Sequence, residues 1–146
     1  MRVLGVSVPV LTGDIERAIP RYEALTGELL KMRFGVPERG LTIALLGSVT
    51  LISGNEEALV PARELRASFI VDSIVDFEAH LRSTGATILQ APAPTPVGRN
   101  MVARDVEGTV LEFVELTSRD GREARSCSTT PSSRSPRRGR SAGRTR

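Results

Sequence analysis

The chain has 146 residues, with 40% hydrophobic and 25% charged residues and no tryptophan; this is the make-up of a single globular domain and excludes a collagen-like or wholly disordered chain. No apolar run approaches the roughly 18 residues that span a bilayer, and the single cysteine, Cys127, excludes an intrachain disulfide framework. The net charge of +3 is unevenly placed: residues 118–146 hold nine arginines against Asp120 and Glu123, while Met1–Thr117 has 11 basic and 15 acidic residues, so the body is mildly acidic and lacks the basic balance of a nucleic-acid binder.

Met1-Arg2-Val3-Leu4 runs directly into a strand pattern, without the apolar core and cleavage site of a signal peptide. With one unpaired cysteine, the expectation is a cytoplasmic protein. Val3 to Leu11 is β-rich, with Val6, Val8 and Val10 on one face as the packing side and Gly5 and Ser7 on the other. Asp14 stands at a helix start, Ile15, Ala18, Ile19, Tyr22 and Leu25 follow at helical spacing, and Gly27 ends the helix. Pro20, inside that pattern, predicts a kink. Short strands are predicted over Glu28–Phe34, Leu41–Leu46 and Val49–Ser53, with a hairpin turn at Gly47-Ser48. Asn55 to Glu64 reads as a polar crossing segment.

A second copy of the pattern starts near Arg66. Ala67, Phe69 and Val71 alternate with Arg66, Ser68 and Ile70; a helix follows over Ile74–Ser83, with Phe77 and Leu81 on one face and Gly85 closing it. Strands are predicted over Ala86–Gln90, Gly98–Arg104 and Thr109–Leu116, and the proline-rich stretch from Ala91 to Pro96 fits only a loop or a sheet edge. Both halves thus read strand, helix closed by glycine, then strands. A βαββαβ ferredoxin-like domain uses many of the same elements, but has no place for strands at both Val49–Ser53 and Thr109–Leu116.

These residues resemble the vicinal-oxygen-chelate superfamily, which includes glyoxalases, bleomycin-resistance proteins and extradiol dioxygenases. Gly13-Asp14-Ile15-Glu16-Arg17-Ala18 with Leu25-Thr26-Gly27 is similar to the family's opening helix, with Thr26 inserted into its Leu-Gly pair. Phe69-Ile70-Val71-Asp72 before Phe77–Leu81 is similar to the start of its second module. Asp105-Val106-Glu107-Gly108-Thr109 resembles its Asp-Pro-Asp-Gly-Asn turn, which leads into a last strand bearing a ligand glutamate, here Glu112.

The resemblance implies an α+β fold of two tandem βαβββ modules, about 1–54 and 65–117, forming a cup-shaped eight-stranded mixed sheet with the helices outside. Metal-dependent members hold an ion through four inward positions. Here these fall on Gly5 or Ser7, on Thr50 or Ile52, on Arg66, and on Glu112, so no metal site and no cofactor are expected. His80, the only histidine, lies in the second helix and is assigned to the surface.

The candidate ligand-binding residues are Ser7, Arg66, Ser68, Met101 and Glu112, with Arg99 and Arg104 near the same opening. Glu112 is the one catalytic candidate, and an Arg66–Glu112 pair is read either as a structural ion pair or as a ligand anchor. Phe69, Phe77 and Phe113 look committed to helix packing, so a small aliphatic or polar ligand is expected over a stacked aromatic one.

The functional expectation is a metal-free small-molecule binder of the sequestration or resistance type. The alternative is a superfamily enzyme, a lyase, isomerase or dioxygenase acting on a small oxygenated metabolite. The partner expectations are a small molecule and a second copy in a homodimer, with no membrane and no nucleic acid for the body. Residues 118–146, rich in Arg, Ser and Pro, read as a disordered tail, either solvated or bound to an anionic partner.

Overall fold

The computed structural model describes residues 1–117, and the predicted tail lies outside the described residues. Eight strands form one sheet: β1 (Val3–Thr12), β2 (Met32–Val36), β3 (Leu41–Leu45), β4 (Val49–Gly54), β5 (Leu65–Val71), β6 (Thr87–Thr95), β7 (Gly98–Arg104) and β8 (Val110–Leu116). Their order is β2-β3-β4-β1-β5-β8-β7-β6, so the second half repeats the first in reverse across a central β1–β5 pair. β1–β4 and β5–β8 are parallel pairs, and the other neighbours are antiparallel. This is the expected α+β arrangement of two βαβββ modules. Both strands that a ferredoxin-like domain has no place for are present, as β4 and β8.

Three helices accompany the strands: α1 (Ile15–Thr26), a single turn α2 (Glu56–Leu59), and α3 (Ile74–Ser83). Asp14 and Ser73 cap α1 and α3 by accepting from the backbone amides of Arg17 and Asp76. The first amide of α3 also donates to Glu115 Oε2 at 2.6 Å, which ties that helix to β8. Gly27 ends α1 in the left-handed region at φ 72°, where a side chain is disfavoured. α1 continues through Pro20, whose ring is exposed, so the Glu16 carbonyl that loses its donor is open to water.

The alternation of each strand divides the sheet into a helix side and a concave side. Ala44, Leu46, Val49 and Leu51 pack with Ile15 and Ala18 of α1. Val71, Met101, Ala103 and Phe113 pack with Ile74 and Phe77 of α3. Phe113 stacks obliquely on Phe69 and Phe77, with ring centroids 5.7 and 5.5 Å apart, as expected of aromatics given to helix packing. Fully burying an aliphatic or aromatic side chain of this size contributes about 1.5–3 kcal/mol, so these two clusters fix the helices against the sheet.

Four sequence expectations need correction. The first strand after α1 is Met32–Val36 rather than Glu28–Phe34, because Glu28 is drawn instead onto Ser48 at the β3–β4 turn. Val6 and Val8 are 50% and 54% exposed, since α1 covers only the Val10 end of β1. Arg66 is not a cup residue. Between Leu65 and Ala67 the β5–β8 register slips by one residue, Arg66 is the extra one, and Leu65 takes the concave side. Met101 is fully buried in the cluster under α3, one residue out of phase with the cup.

Candidate functional site

The concave side encloses a cavity of about 730 Å³. Its walls are largely aliphatic: Val36, Leu41, Ile43 and Ile52 from the first module, Val102 and Val114 from the second. The segment between the modules, through Ala58, Val60 and Pro61, closes one side. It is anchored by Leu59 and Ala62, which pack against Ile52 beneath it. Of the five aromatic residues in the chain, only Phe34 lines the cavity.

The polar groups gather in the middle of this apolar bowl. Ser7, Ser68 and Glu112 stand in register across β1, β5 and β8. Ser7 Oγ and Thr50 Oγ1 share a hydrogen bond of 2.6 Å, and both residues are buried. Ser68 Oγ donates to Glu112 Oε2 at 2.6 Å, and Asn100 Nδ2 donates to Glu112 Oε1 at 3.0 Å. Gln90 Nε2 in turn donates to Asn100 Oδ1 at 2.9 Å. A buried polar group without a partner costs about 1–3 kcal/mol, and this chain satisfies one after another from the sheet itself.

Asn100 and Gln90 were missed in the sequence. Asn100 follows from alternation in β7, because it is one step from the core residue Met101. Gln90 does not follow. In strict alternation, with Ile88 opposite Ala103 on the helix side, Gln90 falls on the helix side too. A one-residue slip between Ile88 and Gln90 places Gln90 opposite Val102 and turns it into the cup. β6 is an edge strand, which also accommodates Pro92 and Pro94.

The structure brings together three of the predicted site residues, Ser7, Ser68 and Glu112, and separates two. Arg66 lies in a shallow depression outside the cup with Arg63 and Arg104, and makes no pair with Glu112. Arg104 bonds Glu64 at 3.0 Å on the surface, Arg99 is exposed, and His80 is exposed on α3. Of the positions that the resemblance gives for a metal, Ser7, Thr50 and Glu112 lie in the cup; Arg66 lies outside it, and Ser68 stands in register between Ser7 and Glu112 instead. Three neutral hydroxyls, two of them bonded to each other, and one carboxylate do not make the imidazole-and-carboxylate donor set that a transition ion requires. Among the described residues, no three His, Cys, Asp or Glu side chains cluster to hold an ion.

The fold has known relatives. A crystal structure of an uncharacterised protein from Methanosarcina mazei superimposes with a TM-score of 0.74 at 37% identity, over 80% of this chain and 95% of that one. The chain belongs to the family of this archaeal protein. Methylmalonyl-CoA epimerase from Mycobacterium tuberculosis matches with a TM-score of 0.68 at 20% identity, over 82% of this chain and 93% of that one. A variant of the Streptomyces coelicolor epimerase in complex with 2-nitronate-propionyl-CoA matches with a TM-score of 0.66 at 17% identity, over 80% and 97%. The chain therefore has the half-barrel fold that these epimerases share. No protein-family model and no curated protein matches the chain. No helix among the described residues is long and apolar enough to cross a membrane.

Proposed function

We propose that this protein binds a small, mostly aliphatic molecule in the cup and does so without a metal ion. The observation that carries the reading is the 730 Å³ apolar cavity with one polar cluster, centred on Glu112, in its floor. Apolar walls with a few convergent polar groups are the usual make-up of a ligand pocket. A sequestering or resistance-type role fits this arrangement, and a cytoplasmic setting fits a chain with a single cysteine.

The test is fluorescence titration with N-phenyl-1-naphthylamine, a neutral dye that brightens in apolar cavities. Saturable binding at one site per chain is expected, reduced at least about tenfold, or 1.4 kcal/mol, by Ile43→Trp, which fills the cup. Binding that is indifferent to Ile43→Trp argues for an outer-surface site and against this reading.

A second reading has one observation in its favour. Glu112 is a carboxylate fixed by two donors at the centre of a fold shared with epimerases, and it could take a proton from a carbon acid in an isomerase-type reaction. Solvent deuterium incorporation into a bound methylene acid or thioester, abolished by Glu112→Gln, separates an enzyme from a binder.

The proposed macromolecular partner is a second copy of this chain, seated on the exposed valines of β1. That face is opposite the cup, so pairing leaves the cavity open. Sedimentation velocity is expected to show a dimer that Val6→Lys with Val8→Lys dissociates.

A further inference from the structure

The direction of the hydrogen bonds in the cup floor constrains what can occupy it. A carboxylate only accepts. Asn100 must therefore turn its Nδ2 toward Glu112, which leaves Oδ1 for Gln90, which must then donate through Nε2. Ser68 also spends its proton on Glu112. Every bond in the network runs toward the one carboxylate, and each of its oxygens, holding a single hydrogen bond here, has a further lone pair to offer.

Charge points the same way. Among the described residues, Glu112 has no ion-pair partner. Toward the mouth, the cavity is lined by Glu38, Glu57 and Glu64 against the single guanidinium of Arg39. Glu64 is neutralised by Arg104 from outside the lining, whereas Glu38 and Glu57 are exposed with no such partner among the described residues. A ligand carboxylate that reaches the floor meets a like charge with no cation to offset it, in surroundings where such repulsion is poorly screened.

We infer that the cup selects an aliphatic amine, whose ammonium head donates to the free lone pairs of Glu112 while its chain lies along the Ile43, Ile52 and Val114 walls. The inference rests on the small-molecule reading above and names its ligand class. A primary ammonium supplies three donors and no acceptor, the complement of a carboxylate whose two oxygens each keep a free lone pair beside the bonds from Ser68 and Asn100. The donors left over, one hydroxyl proton of the Ser7–Thr50 pair and the second N–H of Asn100 and of Gln90, are all uncharged, so none offsets the repulsion between an acid and Glu112.

The experiment uses the full chain and three probes of equal length, octylamine, octan-1-ol and octanoate, each displacing N-phenyl-1-naphthylamine at pH 7. Octylamine is expected to compete at least about tenfold better than octanoate, a ratio equivalent to 1.4 kcal/mol, with the alcohol between them. Glu112→Gln is expected to bring the amine and the acid within about twofold of each other while the dye still binds. Glu38→Gln with Glu57→Gln changes only exposed side chains, so it tests the rim even where the floor variant does not fold; the preference is expected to fall by about half.

Dye displaced equally well by octanoate, or a preference that survives Glu112→Gln in a folded protein, overturns the amine assignment and leaves a small-molecule cup. Failure of the dye and of all three probes to bind sinks the binding reading itself, and the head group with it.

Discussion

The two modules share a backbone plan and differ in chemistry. The first contributes the aliphatic walls and a self-contained Ser7–Thr50 pair, whose hydroxyls satisfy one another. The second contributes the directed chain Gln90–Asn100–Glu112, joined from the central strand by Ser68. Repetition sets where strands and helices go; the few polar residues that break it set what the cup can hold. A symmetric pair of modules with apolar floors would bury more area and recognise nothing in particular.

The comparison can be broken most severely in the packing that both modules have in common. Leu51→Ala under α1 and Met101→Ala under α3 each remove a fully buried side chain. Both are expected to destabilise by about 2–5 kcal/mol in urea titrations, nearly equally, because the helix–sheet packing is the repeated part. A much smaller loss at Met101 would return that residue to the cup and undo the assigned register.

The floor sharpens the contrast. Glu112→Leu strands the donors of Ser68 and Asn100 and is expected to cost about 1–3 kcal/mol. Ser7→Ala leaves only the Thr50 hydroxyl, which can turn elsewhere, and should cost about 1 kcal/mol or less. Equal losses would mean that the second module holds no privileged network.

The smallest effect is a titration on the rim of the first module. Ser48 donates its hydroxyl and its backbone amide to Glu28, which lowers the carboxyl below its ordinary value. A lowered folded-state value means that the contribution to stability is present above the unfolded value and is lost as the pH falls through the folded one. Ser48→Ala removes the larger of the two bonds, so the Glu28 carboxyl signal in NMR titration should move up toward 4.5. No change would assign the shift to the backbone amide alone.

How much of this was legible in the sequence follows from how regular each strand is. The period-two alternation of β8 placed Glu112 in the cup and Phe113 against the helix, as the structure has them. The span of α3 was legible from the apolar spacing of Phe77 and Leu81 and from the closing Gly85. Arg66 and Gln90 were illegible for one reason: each lies where a strand gains a residue relative to its neighbour, and alternation carries no mark of that slip. Met101 was a different error. It sits in a regular strand, and its partner Phe113 on β8 points to the helix side, so the register assigned it to the core.

The extra residue between Ile88 and Gln90, the first of two slips in β6, has a consequence for how such a protein can change over generations. Substitution alters one side chain at a time, whereas loss of the single codon for Leu89 would set Gln90 directly after Ile88, where plain alternation already turns it into the cup opposite Val102. Asn100 would keep both its hold on Glu112 and the Gln90 amide that steadies it. An edge strand has only one neighbour to disturb, so such a deletion is among the mildest the sheet can absorb. The cup floor is therefore buffered against loss of the extra residue in the β6 edge, whereas exchange of Gln90, Asn100 or Glu112 changes it directly.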